Sequence, residues 1–178
     1  MKKEELKKFL IEEKFDSYED ILQYVDDEKD IESLADKIKF LKKNGLENED
    51  IESVISENPL FLTTNIENLK RSVNFLISIG LKNLSQVALM NPELLSVSDK
   101  TMSENYRLLK LLLQEKELLN MLKIDAEILS FNTDYLARRL EFFVKNNLKD
   151  KIKDIILNYI EAFEDDEDEI DLEMLKNI

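Results

Sequence analysis

The fold of this chain is decided by residues 58–81, which read NPLFLTTNIENLKRSVNFLISIGL. A shift of 67 residues superimposes this stretch on a second copy without a gap. The matching pairs are Leu62–Leu129, Asn65–Asn132, Leu69–Leu136, Arg71–Arg138, Phe75–Phe142 and Leu81–Leu148. Shifts of 33 and 35 residues recover shorter parts on either side, including Asn91-Pro92 and Gly45-Leu46. A repeat of this length predicts a solenoid of stacked helical units.

Polar residues at one equivalent position mark where each long helix is predicted to begin. Their side-chain oxygens can accept the backbone N–H groups that the first helical turn leaves without partners. These residues are Asp30, Asn65, Ser98 and Asn132, at successive shifts of 35, 33 and 34. Ser17 with Asp20 predicts a further capping box at the start of an earlier, short helix.

The helix ends repeat as well. Gly45, Gly80 and Asn147 are residue types that accept the left-handed conformation after a helix, and each is followed by Leu. An apolar residue four positions earlier predicts the hydrophobic contact of a Schellman ending. Leu113 occupies the remaining equivalent position, so the third long helix is expected to run on or to end differently.

Shorter helices are expected between the long ones. Pro59 and Pro92 should end them, because the residue before proline is disfavoured in helical conformation. Tight apolar turns follow, and residues 125–129 take that place in the third unit without a proline. The recurring aromatic residues of the long helices share the apolar period and are predicted to be core; they are Phe40, Phe75 and Phe142.

The amino-acid composition further restricts the class of protein. The 178 residues contain no Cys and no His, which excludes disulfides, thiol nucleophiles, His-based triads and Cys or His zinc sites. Two Gly and two Pro in a chain rich in Leu, Ile, Lys and Glu favour an all-α protein. No apolar run is long enough to span a membrane, and no targeting segment is recognised, so we expect a cytoplasmic protein.

The net charge of −14 is concentrated at the two ends. Residues 1–36 hold 6 basic and 13 acidic side chains, and residues 161–178 hold 1 and 9. The body between them holds 18 basic and 17 acidic side chains. This distribution gives little long-range attraction for nucleic acid and suits a basic protein partner.

The combination of an Asn-Pro-x-Leu/Phe-Leu turn, a polar N-cap, a long helix and a closing Gly-Leu resembles the mitochondrial transcription termination factor family, mTERF. The resemblance covers about residues 18–160 as about four units. We therefore expect one domain over residues 1–178, with an N-terminal helix in 1–17 and an acidic cap or tail in 161–178. The resemblance implies a superhelix, of unspecified hand, that holds nucleic acid along a basic concave face and uses no cofactor.

Basic residues on the long helices are the candidates for phosphate contacts. They are Lys70, Arg71, Arg107, Lys110, Arg138 and Arg139. A solenoid would align the repeat-equivalent pair Arg71 and Arg138 along one surface. The alternative is an ordinary solvated face, with Glu67 paired to Arg71 and Asp134 paired to Arg138.

An acidic run occupies residues 164–169 near the C-terminal end. It comprises Glu164, Asp165, Asp166, Glu167, Asp168 and Glu169. It can be a solvated tail, a nucleic-acid-like surface for a basic partner, or a weak cation site, but the absence of a nearby Gly argues against an EF-hand. Leu172, Leu175 and Ile178 follow at helical spacing, which predicts that this end docks as a cap.

Two functional hypotheses remain from the sequence. The first is a non-enzymatic mTERF-like protein associated with nucleic acid or with the machinery that acts on it. The second is an acidic adaptor or inhibitor that binds a basic protein. No pattern places catalytic residues, metal ligands or a small-molecule site together, so catalysis is not expected.

Overall fold

The computed structural model describes residues 2–25, 28–167 and 169–178, without the side chains of 28–30 and 32. All regular structure within these residues is helical, which confirms the all-α prediction. The chain divides into two compact units, Met1–Asp99 and Lys100–Ile178.

The first unit alternates long and short helices. Its elements are α1 (Lys3–Glu12), α2 (Tyr18–Gln23), α3 (Glu28–Lys43), α4 (Asn48–Glu57), a 3-10 helix (Pro59–Thr63), α5 (Ile66–Ser78), α6 (Leu84–Met90) and a second 3-10 helix (Pro92–Leu95). Both prolines open a 3-10 helix directly after a short α-helix. The expected tight apolar turns are therefore confirmed.

The second unit continues the same order. Its elements are α7 (Asp99–Lys110, beginning at the boundary), α8 (Glu115–Ile124), a 3-10 helix (Glu127–Ser130), α9 (Thr133–Lys145), a 3-10 helix (Lys149–Lys151), α10 (Ile152–Asn158), a 3-10 helix (Ile160–Phe163) and α11 (Leu172–Lys176). The turn without proline thus keeps its 3-10 form.

The predicted helix starts hold at three of the four long helices. Asn65 Oδ1 accepts the backbone N–H of Glu67 at 2.8 Å, Asn132 Oδ1 accepts that of Tyr135 at 3.0 Å, and Ser98 directly precedes α7. The predicted helix start is wrong for Asp30, which lies inside the first turn of α3 because that helix begins at Glu28. Negatively charged residues in the first turn interact favourably with the helix dipole. An acidic residue at this position is therefore compatible with a helix that begins earlier.

The capping box expected at Ser17 is also wrong. Ser17 precedes α2, but its side chain makes no capping bond. Its backbone N–H instead donates to Glu52 Oε1 at 2.7 Å. A contact to the next repeat therefore takes the place of the local cap.

The predicted Schellman endings form at all three positions. Gly45, Gly80 and Asn147 have φ of 94°, 101° and 63°. In each case the following Leu donates its N–H across the turn, to Leu41 O (3.2 Å), Leu76 O (3.0 Å) and Phe143 O (2.9 Å) respectively. α7 ends at Lys110 without such a residue, which agrees with the exception expected at Leu113.

A fourth ending of the same type closes α1. Lys14 has φ of 64°, and the N–H of Phe15 donates to Leu10 O at 3.0 Å. Leu10 and Phe15 are both buried. Their spacing of five residues equals that of Leu41 and Leu46. The repeated helix ending therefore begins earlier in the chain than the sequence motif indicates.

The recurring aromatic residues are not core, contrary to the sequence prediction. Phe40, Phe75 and Phe142 are each half-buried. The residue after each of them is fully buried instead. The inward face of α5 consists of Leu69, Ser72, Val73 and Leu76, and that of α9 of Leu136, Arg139, Leu140 and Phe143. This i, i+3, i+4, i+7 stripe leaves the aromatic position at its edge.

Candidate nucleic-acid interface

One buried polar residue lies at the equivalent position of each of the helices α3, α5, α7 and α9. These residues, which we call the polar row, are Lys37, Ser72, Asn105 and Arg139. They are related by shifts of 35, 33 and 34 residues, the same shifts that relate the predicted helix starts. Chemically different side chains thus occupy one structural position.

In the first unit, the polar row binds the turn that precedes the next long helix. Lys37 is 0% exposed, and its ammonium donates to the carbonyl oxygens of Phe61 (3.1 Å) and Leu62. Ser72 Oγ donates to Val97 O at 2.6 Å. These side chains add hydrogen bonds to carbonyls of the short 3-10 turns and loops, of which Phe61 O also accepts the backbone N–H of Thr64.

The second unit repeats this arrangement. Asn105 is 0% exposed, and its Nδ2 donates to Leu129 O (3.1 Å) and Phe131 O (2.7 Å). The Arg139 guanidinium donates to the backbone oxygen of Asp165 and to the Tyr135 hydroxyl (2.9 Å). Sequence reasoning missed this row because its members share no chemistry; their equivalent spacing was the available signal.

Arg139 is consequently a structural residue among the six basic candidates. It is 5% exposed, and its guanidinium carbon lies 5.5 and 5.6 Å from the ring centroids of Tyr135 and Phe142. These rings and two oxygens surround its charge. Arg139 is therefore not available to contact a phosphate.

The first unit presents Lys70 and Arg71 on α5. The Arg71 side chain is 56% exposed, contacts Asn68 Oδ1, and lies 3.3 Å from Asp99. Lys70 pairs with Glu67 at 2.7 Å. The hydrogen bond from Lys70 and then its charge lower the pKa of Glu67. Glu67 is thus matched primarily with Lys70, whereas the sequence paired it with Arg71.

The second unit presents three exposed cations on α7 and α9. Lys110 lies 3.5 Å from Glu115 and 5.7 Å from the Tyr106 ring centroid. Arg138 reaches the backbone oxygen of Asp134 at 3.4 Å instead of its carboxylate, and its guanidinium carbon lies 5.9 Å from the Tyr135 ring centroid. Arg107 is exposed as well. These cations are available at the surface, and the ion pair between Lys110 and Glu115 is of the weak, solvent-screened kind.

The described part of the acidic run is held to α9 through its backbone. The Tyr135 hydroxyl donates to Glu164 O at 3.2 Å, and Arg139 donates to Asp165 O. Glu164, Asp166, Glu167 and Glu169 are exposed, whereas Asp168 lies outside the described residues. The run is therefore anchored at its start, with most of its carboxylates facing solvent.

A cleft of about 550 Å³ lies next to the start of this run and the beginning of α9. Glu127, Asn132, Tyr135, Glu164 and Asp166 contribute to its walls. Burial raises the pKa of Glu127, and the charges of Asp125 and Glu164 raise it further. The carboxylates around this cleft thus repel one another.

The C-terminal end packs onto its unit. Leu175 of α11 is 0% exposed, while Leu172 and Ile178 are half-buried. The Lys151 ammonium donates to the backbone oxygen of Ile178. Apolar side chains at helical spacing therefore cover part of the second unit.

Neither a metal site nor a membrane span is found in the part of the chain that the structure describes. No group of three or more acidic side chains there has an arrangement that could hold a metal ion. No helix within the same residues is long and apolar enough to cross a bilayer.

The repeated order of long helix, short helix and 3-10 turn places this chain in the class of helical-repeat solenoid proteins. The sequence profile of the mTERF family matches residues 1–159 of the 178, so the chain belongs to the mTERF family. The resemblance seen in the sequence is thereby confirmed. The family consists of non-enzymatic helical-repeat proteins that bind nucleic acid. A search of curated proteins finds no match to this chain.

Proposed function

We propose that this protein is a non-enzymatic nucleic-acid-binding protein that uses exposed cations of its long helices to contact phosphates. Membership of the mTERF family is the observation that carries the proposal. The contacting residues would be Lys70, Arg71, Arg107, Lys110 and Arg138. Arg71 and Arg138 are repeat-equivalent, so each unit supplies at least one guanidinium from the same helix position.

Nucleic-acid binding has to occur against long-range repulsion, because the whole chain carries a net charge of −14. Binding must come from local phosphate contacts that release counterions, and it must therefore weaken steeply as salt rises. The surface pairs of Lys70, Arg71 and Lys110 do not prevent this, since each exposed pair contributes at most about 1 kcal/mol. Phosphates can replace such carboxylate partners.

The test is fluorescence anisotropy with a labelled DNA duplex, titrated at several salt concentrations. We expect the double variant Arg71→Ala, Arg138→Ala to bind roughly tenfold more weakly at low salt, with a salt slope lower by about 2. The control is Lys82→Ala, Lys123→Ala, which removes the same charge from two other exposed positions. Equal losses in both variants would overturn the proposal, and so would a failure of duplex binding at low salt that persists when the acidic run is neutralised.

A second candidate function is an acidic adaptor or inhibitor that binds a basic protein. The anchored acidic run favours it, because Arg139 and Tyr135 hold the backbone while neighbouring carboxylates face solvent. Such a surface presents negative charges on a backbone that is already ordered, so little conformational entropy is lost when a partner binds. Salt-sensitive binding of a basic peptide by a protein that ignores the duplex would favour this function over the first.

A further inference from the structure

We propose that the start of the acidic run is an autoinhibitory strap, held against α9 so that its carboxylates screen Arg138 from phosphates. The strap comprises Glu164, Asp165, Asp166 and Glu167, all within the described residues. This inference rests on the proposed nucleic-acid function and concerns how that function is regulated.

The strap is fixed by its backbone and not by its charges. Both anchoring bonds end on main-chain oxygens, from Tyr135 to Glu164 and from Arg139 to Asp165. Arg139 is 5% exposed, so its bond to the strap is shielded from water and from added salt. The carboxylates consequently remain available to act on their surroundings.

One side chain connects the strap to the basic surface. Tyr135 touches Glu164 with its hydroxyl, and its ring centroid lies 5.9 Å from the guanidinium carbon of Arg138. Tyr135 therefore contacts the strap backbone and lies beside Arg138. Within the screening length of about 8 Å in physiological salt, negative charge on the strap opposes a phosphate that approaches Arg138.

The strap's charge also acts on a neighbouring carboxyl group within its own unit. Glu164 and Asp166 line the cleft next to Tyr135 and Asn132, and the charge of Glu164 contributes to the raised pKa of Glu127. The surplus of carboxylates in this cleft therefore projects a negative field towards the first turns of α9. A basic partner that covered the strap would neutralise this field and expose Arg138 to nucleic acid.

The experiment neutralises the strap and leaves its anchors in place. The variant Glu164→Gln, Asp165→Asn, Asp166→Asn, Glu167→Gln keeps every backbone oxygen that Tyr135 and Arg139 bind. The control changes the net charge by the same amount in the other unit, with Glu4→Gln, Glu12→Gln, Asp16→Asn, Glu19→Gln, all at exposed positions. Both are titrated with the labelled duplex at about 50 mM and 200 mM salt.

The strap variant is expected to bind about 3- to 10-fold more tightly than the control at the lower salt, since several weak surface charge interactions are removed together. The advantage should shrink at the higher salt, where the screening length is shorter. Adding Arg138→Ala to both variants should remove the difference between them.

The outcomes separate this inference from the function on which it rests. If the unmodified protein binds the duplex and the strap variant binds no better than the control, the strap is refuted and the function stands. If neither the unmodified protein nor the strap variant binds at low salt, the function fails and the strap fails with it. Binding that appears only in the strap variant supports both.

Discussion

Among the residues that the structure describes, left-handed residues close four helices, and glycine is required at only two of these positions. Lys14 and Asn147 take φ near 64°, where a side chain is tolerated at moderate cost. Gly45 and Gly80 take φ of 94° and 101°, further from the region that other residues occupy. The repeated Gly-Leu ending thus reflects backbone geometry and not a ligand.

Replacing these glycines should therefore lower stability. We expect Gly80→Val to reduce the free energy of unfolding by about 1–2 kcal/mol. Gly45→Ala should cost on the order of 1 kcal/mol from backbone strain alone, because an added Cβ would meet nothing within 4 Å. Asn147→Gly is the control and should be close to neutral. Urea denaturation of each variant measures the effect, and unchanged midpoints for both glycine variants would refute the argument.

The long helices are joined to their neighbouring turns by the polar row, which couples each helix to the segment before the next one. Ser72 is the mildest member to test, because removing its hydroxyl leaves one carbonyl, Val97 O, without this donor. We expect Ser72→Ala to cost about 1 kcal/mol of unfolding free energy, the typical net contribution of one hydrogen bond, since this bond is only part-buried.

Ser103→Ala on α7 is the matched control for this prediction. Its hydroxyl donates to Lys100 O within the same helix, at an exposed site. Its loss should change stability by less than about 0.5 kcal/mol. Equal effects of the two substitutions in urea denaturation would show that the polar row does not join helix and turn.

Most of the element pattern could be predicted from the sequence, because caps, prolines and Gly-Leu endings each have one physical cause at a fixed position. The inward face of the long helices could not. The apolar period predicted Phe40 as core, whereas the structure leaves Phe40 half-buried and buries Lys37, which no sequence pattern had marked. The reason is that Lys37 gains two carbonyl partners inside, so its burial depends on a turn 24 and 25 residues away in sequence.

For the molecule as a whole, the sequence indicated the family and the charge distribution, whereas the candidate site was only partly predictable. Five of the six basic candidates remain candidates, but Arg139 is buried because it binds Asp165, a contact between residues 26 apart in sequence. Local patterns do not specify such contacts. The assignment of residues 1–178 to a single domain stays a prediction.

The segment after Phe163 carries both packing contacts of the second unit and a cluster of acidic side chains. Removing residues 164–178 takes away the fully buried Leu175 and both oxygens that Tyr135 and Arg139 bind. Loss of a buried leucine and of the partner of a buried guanidinium should together cost roughly 3–5 kcal/mol of unfolding free energy. The strap variant is the control, since it loses four charges but keeps these contacts and should unfold close to the unmodified protein. If the truncated chain and the strap variant had equal urea midpoints, the segment would contribute charge alone. A lower midpoint for the truncated chain alone would establish that its packing stabilises the unit independently of its acidity.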